Sequence, residues 1–132
     1  AGKVALGPAE MVTAIEIPMD LKIAAAYTRM TRRHGTDLAS ITLCCGVDAA
    51  GTTRVAFGSV GPRAWLVVDG TGVLADPTAS REAKAPVLAA IFARATPSRT
   101  SMRAGPEYRV AMLPVLGARA LDTAIERLGR TA

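Results

Sequence analysis

Aromatic residues and histidine are scarce in this sequence. Phe, Trp and Tyr together make up 4% of the 132 residues, and His34 is the single histidine. One histidine excludes a metal site built from several imidazole ligands. The low aromatic content also disfavours nucleic-acid binding, which commonly depends on aromatic side chains that stack on bases.

The two cysteines, Cys44 and Cys45, are adjacent in an apolar run. Neighbouring residues of a strand point to opposite faces, so these thiols cannot easily bridge each other or share a metal. Buried, reduced thiols are typical of cytosolic proteins. No apolar run approaches the ~20 residues of a membrane span, and no signal peptide is visible. We therefore expect a cytoplasmic protein with no membrane partner.

The chain carries a positive formal net charge. It is +5, and arginine (13 residues) greatly outnumbers lysine (3 residues). The basic residues are spread along the chain and form no nucleic-acid-binding motif, which disfavours a nucleic-acid partner. We expect instead a basic face for an acidic protein partner or for a phosphate-bearing cofactor.

Length and composition predict a single domain over residues 1–132. Hydrophobic residues make up 50% of the sequence, which is enough for a packed core. A chain of 132 residues is too short for two domains. The sequence begins at Ala1 rather than Met, directly before strand-like sequence. We interpret it as a fragment of a longer protein or a domain cut from one.

Alternating apolar residues predict the strands. The predicted segments are residues 10–17 (ended by Pro18), a strand within 23–32, 39–47, 53–60 and an edge strand at 65–68. Residues 20–22 form a short connection. The segment 23–32 is ambiguous, because alanine favours helix; Ile23, Ala25 and Tyr27 recur with the period of a strand, and the resemblance given below also favours a strand.

Apolar faces and turn residues set the pairing of these strands. The segment 39–47 has one apolar face, formed by Ile41, Leu43, Cys45 and Val47. A turn at residues 48–51 returns the chain antiparallel, with Val55 and Phe57 directed inward.

Helices follow the strands. Asp76 or Ser80 caps a helix that runs to about Arg94, and Pro86 either kinks it or marks a later start. The last helix has Gly105 at its N-cap and Pro106 at its first position, and Gly129 stops it. Its predicted buried stripe comprises Val110, Leu113, Gly117, Leu121, Ala124 and Leu128.

These elements predict an α+β fold. We expect a two-layer sandwich in which an antiparallel sheet of three to four strands is covered on one face by about three helices. The other face of the sheet is then either solvated or covered by something outside this chain.

Residues 32–37 (RRHGTD) offer an acid, a base and two guanidinium groups. A catalytic pair of His34 and Asp37 is one interpretation, but no nucleophile lies nearby in sequence. A structural interpretation has Asp37 capping the next segment or pairing with an arginine, while Gly35 permits the turn. In a third interpretation, exposed arginines bind a phosphate or an acidic surface.

Two further clusters have structural interpretations. Arg103 and Glu107 have the i, i+4 spacing of an ion pair at a helix start, and Tyr108 is expected to pack against the sheet with its hydroxyl at the rim. Residues 58–62 (GSVGP) lack the spacing of a phosphate-binding loop. We interpret them as a strand end, with proximity to a flavin as the alternative.

Four motifs, taken in order, resemble the C-terminal domain of the flavin-carrying subunit of molybdenum hydroxylases, the family of xanthine dehydrogenase and carbon monoxide dehydrogenase. The motifs are Leu6–Pro18, the segment 26–39 with Tyr27, Arg32, Arg33 and Asp37, the strand end Val55–Pro62, and Ser101–Arg109 followed by Leu116–Leu121. They span nearly the whole chain.

The resemblance implies a role in electron transfer. Family members oxidise or hydroxylate a small substrate at a molybdenum-cofactor subunit, and electrons pass through an iron–sulfur subunit to FAD. The domain is expected to share FAD with a preceding FAD-binding domain and to be inactive alone. Val12 and Thr28 match its flavin contacts by position, although many relatives carry lysine in place of Thr28. The alternative is a non-enzymatic docking or dimerisation module of the same fold, and a homo-oligomer is an open possibility.

Overall fold

The structure, a computed structural model, describes residues 5–18 and 22–131. Four strands form one antiparallel sheet in the order of the chain: β1 (Ile23–Met30), β2 (Ile41–Asp48), β3 (Thr53–Gly58) and β4 (Trp65–Asp69). Short connections between successive strands produce this order, because they leave no length for a crossover. The α+β prediction and its four central strand assignments are confirmed.

Two helices complete the described part of the fold: α1 (Arg81–Phe92) and α2 (Pro106–Thr131). The prediction of about three helices is therefore wrong by one within these ranges. Ser80 caps α1, since its Oγ accepts a hydrogen bond from the backbone N–H of Ala83 at 3.2 Å. The helix begins at Arg81 and continues through Pro86 to Phe92. No helix in the described ranges is both long and apolar enough to cross a membrane.

The core lies between the sheet and the helices. The predicted face of β2 is confirmed, because Ile41, Leu43, Cys45 and Val47 are all buried. From β3, Phe57 meets Phe92 of α1 edge to face, with ring centroids 5.2 Å apart. The helix α2 packs on β1 and β2, and α1 packs against α2.

Gly117 allows the two helices to approach closely. A Cβ placed on Gly117 would lie 2.7 Å from the ring of Phe92. That separation is shorter than any tolerable carbon–carbon contact, so only glycine fits opposite the aromatic ring. The sheet, α2 and α1 thus meet around Phe57, Phe92 and Gly117.

The predicted strand over residues 10–17 is wrong. Residues 10–18 have no regular structure and are exposed, with Ile15 at 84% and Ile17 at 73% of their full accessibility. A strand needs a partner for its backbone groups, and the described chain offers none there. Within the predicted connection 20–22, only Lys22 lies inside the described residues.

The buried stripe of α2 differs from the prediction at the start of the helix. Val110 is 43% exposed, whereas its neighbour Arg109 is 2% exposed. Apolar periodicity predicts that Val110 is buried and Arg109 is exposed. Arg109 is buried instead, because its guanidinium donates hydrogen bonds to two backbone carbonyl groups, those of Ser59 and Ser98. The predicted stop at Gly129 is also wrong, since α2 continues to Thr131.

The outer face of the sheet is not covered by the described chain. Tyr27 on β1 and Leu66 and Val68 on β4 are 63%, 64% and 56% exposed. This face is the one predicted to be solvated or covered by something outside the chain.

Candidate functional site

Three loops converge at one end of the sheet, where β1 and β3 end and β2 and β4 begin. They are residues 31–40, 59–64 and 93–105. They surround a pocket of about 740 Å³, here called the loop pocket. Its lining consists of Arg32, Leu38, Ser59, Gly61, Pro62, Thr96, Ser98, Thr100, Ser101, Met102, Arg103 and Arg109. Three of the four sequence motifs therefore meet at one place.

The loop 31–40 is folded around Asp37. The Asp37 side chain is 3% exposed and forms an ion pair with Arg32 at 3.1 Å. Its Oδ2 also accepts the backbone N–H of Arg32 at 3.0 Å. The side-chain hydrogen bond from Arg32 holds the pKa of Asp37 below its usual range. Gly35 has a φ of 88°, which glycine adopts without strain.

This geometry confirms the structural interpretation of residues 32–37. Both carboxylate oxygens of Asp37 are used by Arg32, through its backbone and its side chain. His34 is exposed. A catalytic pair needs the carboxylate to orient the imidazole, and here that carboxylate is committed to the guanidinium.

Two arginines tie the first and third loops together. Nη1 of Arg32 donates to the carbonyl oxygen of Met102 at 3.4 Å, and Nη1 of Arg103 donates to that of Ala39 at 3.2 Å. The predicted ion pair of Arg103 with Glu107 is wrong, because no such contact occurs between these two described residues. Since α2 begins at Pro106, the i, i+4 spacing falls across a loop and lacks helical geometry.

Arg109 ties the second loop to the third from inside. Nη1 donates to the carbonyl oxygen of Ser59 at 2.7 Å, and Nη2 donates to that of Ser98 at 2.8 Å. Nε has no hydrogen-bond partner in the described structure. Ser59 is the one non-glycine residue of the described ranges with positive φ, at 65°. Sequence patterns missed the burial of Arg109; the only available signal was its place within the Ser101–Arg109 motif.

The electrostatic character of the loop pocket follows from its lining. Three arginines line it, and no aspartate or glutamate does so among the described residues. Arg32 is paired with Asp37, whereas Arg103 and Arg109 form no ion pair within the described ranges. The pocket is therefore positively charged and rich in hydroxyl groups.

Tyr108 lies at the rim of the sheet, as predicted. Its side chain is partly exposed, and its hydroxyl donates to Sδ of Met30 at 3.7 Å. Met30 is the last residue of β1, so this contact fixes the start of α2 against the strand end.

The two residues predicted to contact flavin, Val12 and Thr28, do not line the loop pocket. Val12 is 64% exposed in the irregular segment before the sheet. Thr28 is half-buried on β1 opposite Leu43, and so faces the helix side of the sheet. No described contact brings Val12 and Thr28 together.

The two cysteines lie on opposite faces of β2, as predicted, and both are free thiols. Burial raises the pKa of the Cys45 thiol to about 12, and burial also raises the pKa of Cys44. Sγ of Cys45 contacts the carbonyl oxygen of Gly117 at 3.8 Å. Within the described residues, no group of three or more His, Cys, Asp or Glu side chains could hold a metal ion.

A four-stranded meander with two helices on one face, and a basic pocket at the end of the sheet, defines a small two-layer α+β domain. The sequence model of the CO dehydrogenase flavoprotein C-terminal domain matches residues 25–124. That match spans the sheet, α1 and most of α2, and the chain belongs to this family. No match was found among curated protein sequences.

Three solved structures share the fold. The chain is 22% identical to reconstituted CO dehydrogenase from Oligotropha carboxidovorans, with a TM-score of 0.64 over 80% of this chain and 38% of that chain. It is 24% identical to a carbon monoxide dehydrogenase from Hydrogenophaga pseudoflava that lacks the Mo-pyranopterin moiety of the molybdenum cofactor. The TM-score is 0.62, and the match covers 80% of this chain and 38% of that chain. It is 19% identical to quinoline 2-oxidoreductase from Pseudomonas putida 86, with a TM-score of 0.63 over 86% of this chain and 40% of that chain. The chain therefore spans about two fifths of the length of each.

Proposed function

We propose that this chain is the C-terminal domain of the FAD-carrying subunit of a molybdenum hydroxylase, where it forms one side of the flavin pocket. The family match over residues 25–124 is the observation that supports this role. In this proposal residues 1–132 act as one domain in the cytoplasm. An FAD-binding domain, a molybdenum-cofactor subunit and an iron–sulfur subunit are its partners. Bound flavin supplies the redox chemistry, and the protein orients it and controls access to it.

Exposed apolar side chains support contact with another domain. Met11, Val12, Ile15 and Ile17 are all more than half exposed, and the outer face of the sheet adds Tyr27, Leu66 and Val68. Monomeric proteins rarely expose large contiguous apolar patches, and such patches mark interaction surfaces. In this proposal the FAD-binding domain covers the irregular segment 10–18 in the assembled subunit.

Val12 and Thr28 are the proposed flavin contacts of this chain. A flavin ring presents an apolar face and a polar rim, and these two side chains supply one apolar group and one hydroxyl. Val12 is exposed and Thr28 is half-buried, and neither is enclosed by a pocket of the described residues. They fit one wall of a flavin site whose remaining walls belong to the FAD-binding domain, so the chain alone is expected to bind FAD poorly and to be inactive.

An FAD titration tests this proposal. FAD fluorescence is followed with the chain alone and with the chain plus the FAD-binding domain of the same subunit. We expect stoichiometric quenching only in the second case. Tight quenching by the chain alone would contradict the shared-site proposal.

Substitution of Thr28 tests the assigned contact. Thr28→Asp places a negative charge at the proposed wall and should weaken FAD binding by the assembled subunit by about tenfold. Thr71→Asp, in the turn after β4 at the opposite edge of the sheet, should leave binding unchanged. Equal effects of the two substitutions would exclude Thr28 as a flavin contact.

The alternative is a docking or dimerisation module that does not touch FAD. The exposed apolar face of the sheet favours it as much as it favours the first proposal. Gel filtration with and without the FAD-binding domain separates the two. Complex formation or self-association that does not change FAD affinity would support the module.

A further inference from the structure

The loop pocket has an unbalanced charge. Its three arginines are offset by one carboxylate, Asp37, which leaves about two positive charges at Arg103 and Arg109. Arg109 is 2% exposed and its hydrogen bonds go to neutral carbonyl oxygens. A buried charge that lacks a counter-ion is costly, because the carbonyl dipoles replace only part of its hydration. An anion in the pocket would lower that cost.

Buried donors without partners lie at the same place. Nε of Arg109 and Nε1 of Trp65 are both buried and have no hydrogen-bond partner in the described structure. Trp65 adjoins the pocket through Gly61, since a Cβ on that glycine would lie 3.3 Å from the indole nitrogen. Buried N–H groups are almost always paired in proteins, so two orphans beside one pocket indicate an absent acceptor.

The lining favours a tetrahedral oxyanion. The charged groups come from two of the loops (Arg32 and Arg103) and from α2 (Arg109), and the hydroxyl-bearing residues Ser59, Ser98 and Thr100 line the same pocket. A phosphate group presents three acceptor oxygens and carries a charge of about −1.5 to −2 near neutral pH, which matches the uncompensated charge. Planar guanidinium groups bind phosphate through paired hydrogen bonds.

We infer that the loop pocket binds a phosphate group, either as inorganic phosphate or as the phosphate ester of a small molecule. The anion would lie above Arg109 and accept hydrogen bonds from Arg103 and from the hydroxyl-bearing residues. This inference does not depend on the proposed flavin contacts, because Val12 and Thr28 lie outside the pocket.

An NMR titration of the 132-residue chain tests the inference. Inorganic phosphate is added at constant ionic strength, and the backbone amide signals of residues 59–61 and 98–103 are followed. We expect saturable shifts confined to these loops. Shifts that grow linearly without saturation, or that spread over all exposed arginines, would overturn the proposal.

Three variants locate the site. Arg103→Met removes one uncompensated charge and should weaken phosphate binding by about tenfold, the effect of losing one charge-assisted hydrogen bond. Thr100→Glu places a carboxylate at the exposed edge of the pocket, where it does not disturb the core, and should abolish saturable binding. Arg119→Met removes an exposed arginine of α2 outside the pocket and should leave binding unchanged.

The test remains decisive if Arg103→Met fails to fold, because Thr100→Glu needs no buried change. Unaltered phosphate binding by folded Thr100→Glu would overturn the assignment. A parallel titration with AMP separates the two sources of the group. Tighter binding of AMP than of phosphate supports a phosphate ester as the ligand, and tighter binding of phosphate supports the free anion.

Discussion

The carbonyl oxygen of Ser59 accepts a hydrogen bond from Nη1 of Arg109 at 2.7 Å, across 50 residues of sequence. Ser59 has a φ of 65°. A left-handed conformation costs a non-glycine residue about 1–2 kcal/mol. The guanidinium therefore stabilises a backbone conformation that the local sequence does not favour, and it anchors the second loop of the pocket to α2.

Replacement of Arg109 should destabilise the domain. Arg109→Met leaves the carbonyl oxygens of Ser59 and Ser98 without their donors, while it also removes a buried charge. A fully buried acceptor left unsatisfied costs about 1–3 kcal/mol, and these two hydrogen bonds are partly buried, so we expect a net loss of about 2 kcal/mol in the free energy of unfolding. Urea denaturation measures this loss.

Arg119→Met is the matched control for that experiment. Arg119 lies on the same helix but is exposed, so its replacement should change the free energy of unfolding by less than about 0.5 kcal/mol. Equal effects at positions 109 and 119 would show that the buried hydrogen bonds of Arg109 contribute nothing.

The helix crossing at Gly117 should tolerate no side chain. Gly117→Ala places a Cβ 2.7 Å from the Phe92 ring, so we expect a loss of about 1–3 kcal/mol from overpacking despite the better helix propensity of alanine. The urea midpoint measures the change. Gly129→Ala on the same helix meets no atom within 4 Å and should stabilise the protein by up to about 1 kcal/mol.

A second substitution tests the cause of the Gly117→Ala defect. Phe92→Leu removes the ring atoms that meet the new methyl group. The double variant should then be more stable than the sum of the two single changes predicts. Strict additivity would place the defect somewhere other than this contact.

Acid should weaken the first loop through Asp37. The pKa of Asp37 is lower in the folded state because Arg32 hydrogen-bonds to the carboxylate. A lowered folded pKa gives stability that is complete above the unfolded pKa of about 3.9 and is lost as the pH falls through the folded pKa. Wild type should therefore exceed Asp37→Asn in stability at pH 7 by more than at pH 3.

Urea unfolding of both proteins at the two pH values measures that difference. Asp48, Asp76 and Glu82 also have lowered pKa values, so some acid sensitivity will remain in Asp37→Asn. A stability difference that stays constant between pH 7 and pH 3 would exclude the ion pair as its source.

The two thiols should react at different rates. Cys45 is buried and its pKa is raised to about 12, whereas Cys44 is partly exposed on the other face of β2. Only the thiolate reacts quickly, so a maleimide reagent at pH 8 should modify Cys44 first and Cys45 only after unfolding. Mass spectrometry of Cys44→Ser and Cys45→Ser measures both rates. Rapid modification of native Cys44→Ser would contradict the burial of Cys45.

Cys45 also sets a stability limit at alkaline pH. Its pKa is higher in the folded than in the unfolded state, so the neutral thiol favours folding. This contribution is complete below the unfolded pKa of about 8.5 and is lost as the pH rises towards the folded value. Cys45→Ala should show a flatter stability curve above pH 9 than wild type.

Periodicity predicted the central strands because burial of alternate side chains leaves a direct mark on the sequence. In β2, Ile41, Leu43, Cys45 and Val47 occupy one face and are buried, as their spacing indicates. Gly105 and Pro106 marked the start of the last helix through capping and a fixed φ, whereas the sequence left Asp76 and Ser80 as alternative caps of the first helix. The same reasoning failed for residues 10–17, since an alternating pattern forms a strand only beside a partner strand.

The candidate pocket could not be predicted in this way. Its arginines come from positions 32, 103 and 109, and no short-range sequence pattern predicts that these three residues lie together. The order of the four motifs indicated the family, but it did not predict which motifs contact one another. Tertiary structure joined them because β1 and β3 end where β2 and β4 begin, so their loops share one end of the sheet.

The sequence by itself determined the α+β class, the central strands, the start of the last helix and the resemblance to a flavoprotein domain, since each depends on short-range spacing or local chemistry. Only the tertiary structure decided that Arg109 is buried while Val110 is exposed. The physical reason is that carbonyl groups distant in sequence, at Ser59 and Ser98, supply the hydrogen bonds that a buried guanidinium requires.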